Sequence, residues 1–282
     1  QEWGVKSFKM FNGQFSISLF DEKKNTLFLI RDRIGIVPIY FKKTKDLFVF
    51  CSQIKPIRKF FQNSIEINND QIIKKLSLPY KLHGISNDTL FDQVFSLKPG
   101  SYLQLNLENL NFNQNNFVSL SDIKINNKKS YYDFREELKS LLIDSIRIRL
   151  RTDRKYGFIL SGGIDSSSIL GIAKKELNVE PYSFSLDIPD QRFNENNEIK
   201  EILEFHNMEK NFIKVTSSNT KDILFNELLQ QDEPLPTPNF ILHNILASQI
   251  NDKGIKVVLN GVGGDEILLG YHDHFLYHLF NL

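Results

Sequence analysis

Over the first fifty residues, apolar and polar side chains alternate with a period of two. Phe15, Ile17 and Leu19 interleave with Gln14, Ser16 and Ser18, the spacing of a strand with one buried face. Glu22 to Asn25 has the composition of a turn, and the runs Thr26 to Arg31, Val37 to Phe41 and Leu47 to Cys51 repeat the alternation. Between them, Asp32-Arg33-Ile34-Gly35 and Lys42 to Asp46 are turn-forming or charged. The expectation is an antiparallel meander. A short helix starting near Asp70, with Asp70 as its cap, carries Ile72, Ile73 and Leu76. Pro99-Gly100 then suits the corner of a type II turn before a strand from Ser101 to Leu107.

The period changes in the second half. Asn106 to Lys129 is dense in Asn and poor in large apolar residues, as expected of a linker or long surface connection. Beyond it, Leu138, Leu141, Leu142 and Ile146 fall at helical spacing. Apolar strands at Tyr156 to Leu160, Tyr182 to Leu186, Phe212 to Val215 and Ile255 to Leu259 then alternate with amphipathic helices. Those helices span about Ser167 to Leu177, Glu198 to His206, Lys221 to Leu229 and Phe240 to Lys253. Such alternation predicts βαβ units, a doubly wound parallel sheet covered on both faces. The expected organisation is an antiparallel β-rich domain over residues 1–115, a linker over 116–129 and an α/β domain over 130–282.

Composition narrows the function classes. The chain has 282 residues, enough for two domains of ordinary size. Lys plus Arg number 35 against 34 for Asp plus Glu, so no net field favours nucleic acid or an anionic membrane. No apolar run approaches the ~18 residues that span a bilayer, and the N-terminus lacks the order of a secretory signal. A cytoplasmic location is expected, without nucleic acid or membrane as partner. The single cysteine, Cys51, leaves no intrachain disulfide and no Cys-based zinc site, so any metal must be held by oxygen or histidine. The 24 phenylalanines are assigned to the core, because base stacking needs a basic patch beside the rings.

The strongest chemical signal is Leu160-Ser161-Gly162-Gly163-Ile164-Asp165-Ser166-Ser167, between an apolar strand and a helix. In an open α/β sheet, ligands bind where strand C-termini meet helix N-termini. Two glycines allow close backbone approach, and the helix N–H groups with the hydroxyls of Ser161, Ser166 and Ser167 form an anion cradle. No lysine follows at the spacing of a γ-phosphate loop. The acid Asp165 beside a phosphate chain makes sense with Mg²⁺ between them; otherwise it is a helix cap on an ordinary turn. Asn260-Gly261-Val262-Gly263-Gly264-Asp265-Glu266 follows another apolar strand. If the two loops lie side by side, Asp165 and Asp265 clamp one Mg²⁺; if not, these are solvated acids on a flexible turn. Gln231-Asp232-Glu233-Pro234 suits either an amine-binding acid pair or a charged helix end. His274 and His278 share a helical face, and an exposed helix past Tyr271 explains them better than a metal does.

These motifs, with Ser183-Phe184-Ser185-Leu186, Lys256-Val257-Val258-Leu259 and Gly270-Tyr271, resemble the synthetase domain of the glutamine-hydrolysing asparagine synthetases, which is an ATP pyrophosphatase. Phe11-Asn12-Gly13-Gln14-Phe15, Arg31-Asp32-Arg33-Ile34-Gly35, Pro38-Ile39-Tyr40, Ser52-Gln53-Ile54-Lys55 and Pro99-Gly100-Ser101-Tyr102 are similar to the back half of that family's N-terminal, Ntn-type glutaminase domain. The resemblance implies ATP-dependent amide formation: adenylation of the aspartate side chain, release of pyrophosphate, and displacement of AMP by ammonia from glutamine. It assigns Ser161, Gly162, Gly163, Asp165 and Ser166 to catalysis at the pyrophosphate. Leu160, Leu186, Asn260 and Gly261 line the adenine and ribose of ATP, and Asp165 and Asp265 hold Mg²⁺. Its partners are small molecules, and a homodimer is compatible with it.

The family's glutaminase nucleophile is an N-terminal cysteine, whereas this chain starts at Gln1, and Cys51 lies in a strand pattern as a small core hydrophobe. The family often carries Glu at the position of Val262, an acid linked to acyl-adenylate formation, and continues past Leu282 into a helical region. Relative to the family, the expectation is a partial glutaminase domain and a C-terminally incomplete synthetase domain. An amidotransferase acting on a sugar acid or peptide carboxylate, and a degenerate nucleotide-binding module, are the alternative functions.

Overall fold

The computed structural model describes residues 2–62, 64–77, 86–123, 129–216, 220–233, 237 and 239–280. The chain forms two compact units, Gln1–Asn126 with Leu228–Pro236, and Asn127–Glu227 with Thr237–Leu282.

In the first unit, β1 (Ser16–Asp21) and β2 (Thr26–Arg31) form an antiparallel hairpin in which Ser16 faces Arg31. Its turn is fixed by the Asp21 carboxylate, which accepts the Lys24 N–H at 3.2 Å, and by Asn25 in the left-handed region at φ 45°. The expected four-strand meander then fails. The chain turns away after β2, and β3 (Tyr40–Lys43), β4 (Phe48–Cys51) and β5 (Phe95–Ser96) form a separate sheet of order β4-β3-β5. The physical cause is Asp32, which is fully buried. Its Oδ1 accepts the N–H groups of Ile34, Gly35 and Ile36 at 3.2, 2.8 and 3.0 Å, and its Oδ2 accepts that of Val37 at 3.0 Å. Donors that a meander would have given to β2 are consumed in this turn.

The free edge of β2 is taken by β6 (Ser101–Asn106), and β7 (Phe112–Asn116) completes the sheet in the order β1-β2-β6-β7. β7 lies inside the Asn-rich stretch expected to be a connection. As an edge strand its ladder needs only backbone groups; its Asn side chains are exposed, while the half-buried Gln114 accepts from Asn87 Nδ2 at 3.1 Å and donates to Ser101 Oγ at 3.3 Å. Phe117, in the expected linker, is buried with Phe8, Phe28 and Ile30, while 124–128 lie outside the described residues. Leu29, Leu103 and Leu105 pack with Phe41 of the other sheet and with Ile39 and Leu97, which flank its strands. α1 (Ile54–Phe60) contributes Ile54 and Ile57 to a third cluster with Leu90, Phe91 and Val94. α2 (Asn69–Ser77) is capped by Asn68, whose Oδ1 accepts the Gln71 N–H at 3.1 Å; Asp70 sits within its first turn and is not the cap. Position decides between them: Asn68 stands one residue outside the helix, where its carbonyl also accepts the Ile72 N–H at 3.1 Å, the N-cap arrangement.

The second unit begins with α3 (Tyr131–Arg149), capped by Ser130, whose hydroxyl accepts the Asp133 N–H at 3.2 Å. There follow β8 (Tyr156–Ile159), α4 (Ile164–Lys175), β9 (Ser183–Asp187), α5 (Asn196–Phe205), β10 (Phe212–Lys214) and α6 (Thr220–Gln230). α7 (Asn239–Asp252), β11 (Val257–Leu259), α8 (Gly264–Leu268) and α9 (His272–Phe280) complete it. The sheet order is β10-β9-β8-β11, parallel throughout. Alternation along β8 divides the core. Phe158 and Leu160 pack with Ile146, Leu170, Ala173, Ile199 and Leu203 of α3, α4 and α5, whereas Ile159 packs with Leu246, Ile250, Ile255 and Phe184 on the α7 side. The doubly wound α/β arrangement expected from the sequence is present. Among the described residues no helix is long and apolar enough to cross a membrane.

Candidate functional site

Both glycine-rich loops leave the C-terminal ends of adjacent strands. β8 runs through Ser161-Gly162-Gly163 into α4, and β11 runs through Asn260 to Gly263 into α8. This is where an open parallel sheet receives ligands, with helix N–H groups facing outward.

The first loop is wound around one hydroxyl. Ser166 is buried, and its Oγ accepts the Ser161 N–H at 3.1 Å, lies 2.9 Å from Ser161 Oγ and donates toward the Ser161 carbonyl at 3.0 Å. Ser166, read from sequence as a ligand donor, here shapes the cradle from within. Ser161 is exposed, and its Oγ also accepts the Gly163 N–H at 3.3 Å. Ser167 returns its hydroxyl to the Gly163 carbonyl at 2.7 Å. Gly162 donates its N–H to Glu195 Oε2 at 3.1 Å, a partner that no local pattern in the sequence announced.

The second loop closes onto the first. A Cβ at Gly261 would stand 2.9 Å from both Asp165 Cβ and the Ser166 nitrogen, and a Cβ at Gly264 would run into the Asp165 carboxylate. Glycine is required at Gly261 because its backbone lies directly on that of α4, and at Gly264 any side chain would displace the Asp165 carboxylate. Asn260 is exposed, with Oδ1 accepting the Val262 N–H at 3.0 Å, and Gly263 holds φ +103°. Asp265 abuts Gly270, and Glu266 accepts the Tyr271 hydroxyl at 2.7 Å. That bond holds the Glu266 carboxyl below its ordinary range and pushes the Tyr271 phenol up, with the charges of Glu266, Asp265 and Asp165 adding to the rise. Asp165 and Asp265 therefore act on one phenol.

Two carboxylates beside a phosphate cradle fit Mg²⁺, which keeps waters and substrate oxygens for most of its ligands. Among the described residues no group of three or more His, Cys, Asp or Glu is placed to hold a metal alone. α9 carries His274 and His278 as part of a largely exposed helix. Leu160 is buried beneath the first loop, and Leu186 packs partly buried against the α7-side cluster.

Asp232 and Glu233 belong to the first unit. Asp232 Oδ2 accepts the Ile54 N–H at 2.7 Å, capping α1, and Glu233 pairs with Lys75. Burial, with Glu233 nearby, raises the Tyr40 phenol above its ordinary value. Cys51 ends β4, half-buried against the Ile54 cluster.

Residues 137–281 match the asparagine synthase family and residues 1–117 match the glutamine amidotransferase domain. A protein of Methanocaldococcus jannaschii named putative asparagine synthetase (glutamine-hydrolyzing) 2 is 29% identical over 277 residues, covering 96% of this chain and 52% of its own length. Amidase chry2 of Gibberella zeae is 24% identical over 287 residues, 96% of this chain and 42% of that protein. This chain thus spans about half or less of these relatives' lengths. Among solved structures, the NH3-dependent NAD synthetase of Campylobacter jejuni in complex with nitrate overlaps 51% of this chain and 61% of its own. The TM-score is 0.33 and the identity 21%, an overlap too small to bear on the site. The family match covers the strands and both glycine loops just described, and the chain belongs to the asparagine synthase family.

Proposed function

We propose that this chain carries the nucleotide site of an ATP-dependent amide-forming ligase that adenylates the side-chain carboxylate of aspartate and passes the acyl group to ammonia. The observation that carries the proposal is the meeting of the two loops at Asp165, where Gly261 and Gly264 leave no room for a side chain. In this reading the N–H groups of Gly162, Gly163 and the first turn of α4, with the Ser161 hydroxyl, bind the phosphates. Leu160, Leu186, Asn260 and Gly261 border the adenine and ribose.

A carboxylate oxygen of the acceptor forms a bond to the α-phosphorus while the bond to the β-phosphate oxygen breaks, and pyrophosphate leaves. The ammonia nitrogen then bonds to the acyl carbon, the C–O bond to AMP breaks, and one proton passes from nitrogen to solvent. The cradle's donors stabilise the charge that grows on the departing pyrophosphate, the step at which preorganised N–H groups are most effective. Asp165 and Asp265 are the residues that would hold Mg²⁺, which supplies neutralisation of phosphate charge.

One observation leaves room for a second acceptor. Val262 is 74% exposed on the second loop and has no group that titrates, so this loop position favours neither an aspartate ammonium nor proton transfer. A different carboxylate, such as a sugar acid or peptide, suits it as well. The test is AMP and pyrophosphate release from ATP in ammonium salts with a panel of carboxylic acids. Release that depends on aspartate supports the first reading, and release with another acid alone supports the second. Absence of AMP with every acid contradicts both.

A further inference from the structure

The Gly162 N–H, which the proposed reaction assigns to phosphate, is already occupied by an anion of the protein itself. Glu195 Oε2 accepts it at 3.1 Å. The approach is built in: a carbon added at Gly162 would stand 3.0 Å from Glu198 Cβ and 3.1 Å from Glu195 Cβ, so the loop and the start of α5 touch. The segment that delivers Glu195 is pinned on both sides. Asn194 Nδ2 donates to the Ile188 carbonyl at 2.7 Å, Asn196 Nδ2 donates to Asp187 Oδ1 at 2.6 Å, and the Ile199 N–H returns to the Glu195 carbonyl at 3.0 Å. Among the described residues no basic side chain pairs with Glu195. Among the described residues its carboxylate is held by the cradle and by nothing of opposite charge.

We infer that Glu195 is an affinity-setting, positioning residue for the nucleotide: its carboxylate holds the cradle in the anion-binding conformation through the Gly162 N–H and must be displaced from it by a phosphate oxygen when ATP binds. A hydrogen bond from a backbone N–H has one place for an anion, and a second negative group there repels the incoming one. Glu195 therefore keeps the loop shaped while weakening nucleotide binding. Asp165 and Asp265 differ from it, because their charges stand on the opposing loop and first helical turn, where a cation bridges them to phosphate.

This inference rests on the nucleotide reading of the site, and the experiment separates the two. ATP affinity is measured by calorimetry with Mg²⁺ present for the wild-type chain, Glu195→Gln and Glu195→Ala, together with the KM for ATP, kcat and the melting temperature of each. Glu195→Gln and Glu195→Ala are expected to bind ATP about three- to tenfold more tightly, the scale of one charge-assisted hydrogen bond at an exposed position. KM should fall, and the gap from wild type should shrink as salt rises. Wild-type binding with unchanged or weaker affinity in both variants overturns the inference and leaves the nucleotide site standing. Absence of ATP binding to the wild-type chain overturns both. Because Glu195 is exposed, the melting temperature without nucleotide should stay within a few degrees of wild type; a large drop with no gain in affinity would assign Glu195 a structural role only.

Discussion

At the scale of single residues, two glycines meet an aspartate. Gly264 lies where any side chain would enter the Asp165 carboxylate, and Gly261 lies 2.9 Å from the backbone of the α4 first turn in the same sense. Gly264→Ala should therefore push Asp165 out of place while leaving the hydrophobic clusters intact. Its expected signature is loss of ATP binding by about tenfold or more, with a stability change of about 1 kcal/mol or less, read by calorimetry and urea unfolding. Equal affinity in the variant would show that the loops separate freely. The two glycine loops were legible in the sequence because each follows an apolar strand and carries an acid, and it is their occurrence together, not a glycine pair alone, that sets them apart from an ordinary strand-to-helix turn. Glu195 was not, since its role depends on where α5 begins in space and no spacing along the chain encodes that. Ser166 was legible as part of the loop, but whether its hydroxyl faces a ligand or the loop interior depends on the turn geometry.

At the scale of elements, the parallel strands and their helices followed directly from apolar runs separated by amphipathic stretches. The antiparallel half was read less well. Alternation identifies a strand but not its neighbour, and the Asp32 turn sends β3 to a different sheet. Asp32→Asn retains one acceptor oxygen and gives up charge, and is expected to cost about 2 kcal/mol of stability by urea unfolding, since the N–H groups of residues 34 to 37 lose the charged partner that a fully buried side chain gives them. A neutral outcome would mean that the turn is held by other contacts. The α5–α4 contact offers a second check. His206 ends α5 with Nε2 3.6 Å from a Cβ placed at Gly171. Burial, with Lys175 and Lys174 nearby, lowers the His206 pKa. The folded state prefers the neutral imidazole, so this contribution is complete above the ordinary value of about 6.5 and is lost as pH falls below it. His206→Gln should narrow the difference between urea midpoints at pH 7.5 and 5.5 relative to wild type. An unchanged difference would remove His206 as a source of that pH dependence.

At the scale of the whole molecule, the chain joins a β-rich unit matching a glutamine amidotransferase domain to an α/β unit matching asparagine synthase. The assignment of Leu228–Pro236 to the first unit was hidden in the sequence. Asp232-Glu233 looks like any charged helix end until the Ile54 N–H and Lys75 are seen to hold it. In the proposed function the β8 and β11 loops together bind and activate ATP. The most direct test is ATP–pyrophosphate exchange by the wild-type chain and by Asp165→Asn, with aspartate and other acids as acceptors. The account predicts measurable exchange in the wild type and a fall of about 10²-fold or more in the variant at an unchanged melting temperature. Exchange in Asp165→Asn that equals wild type would contradict it.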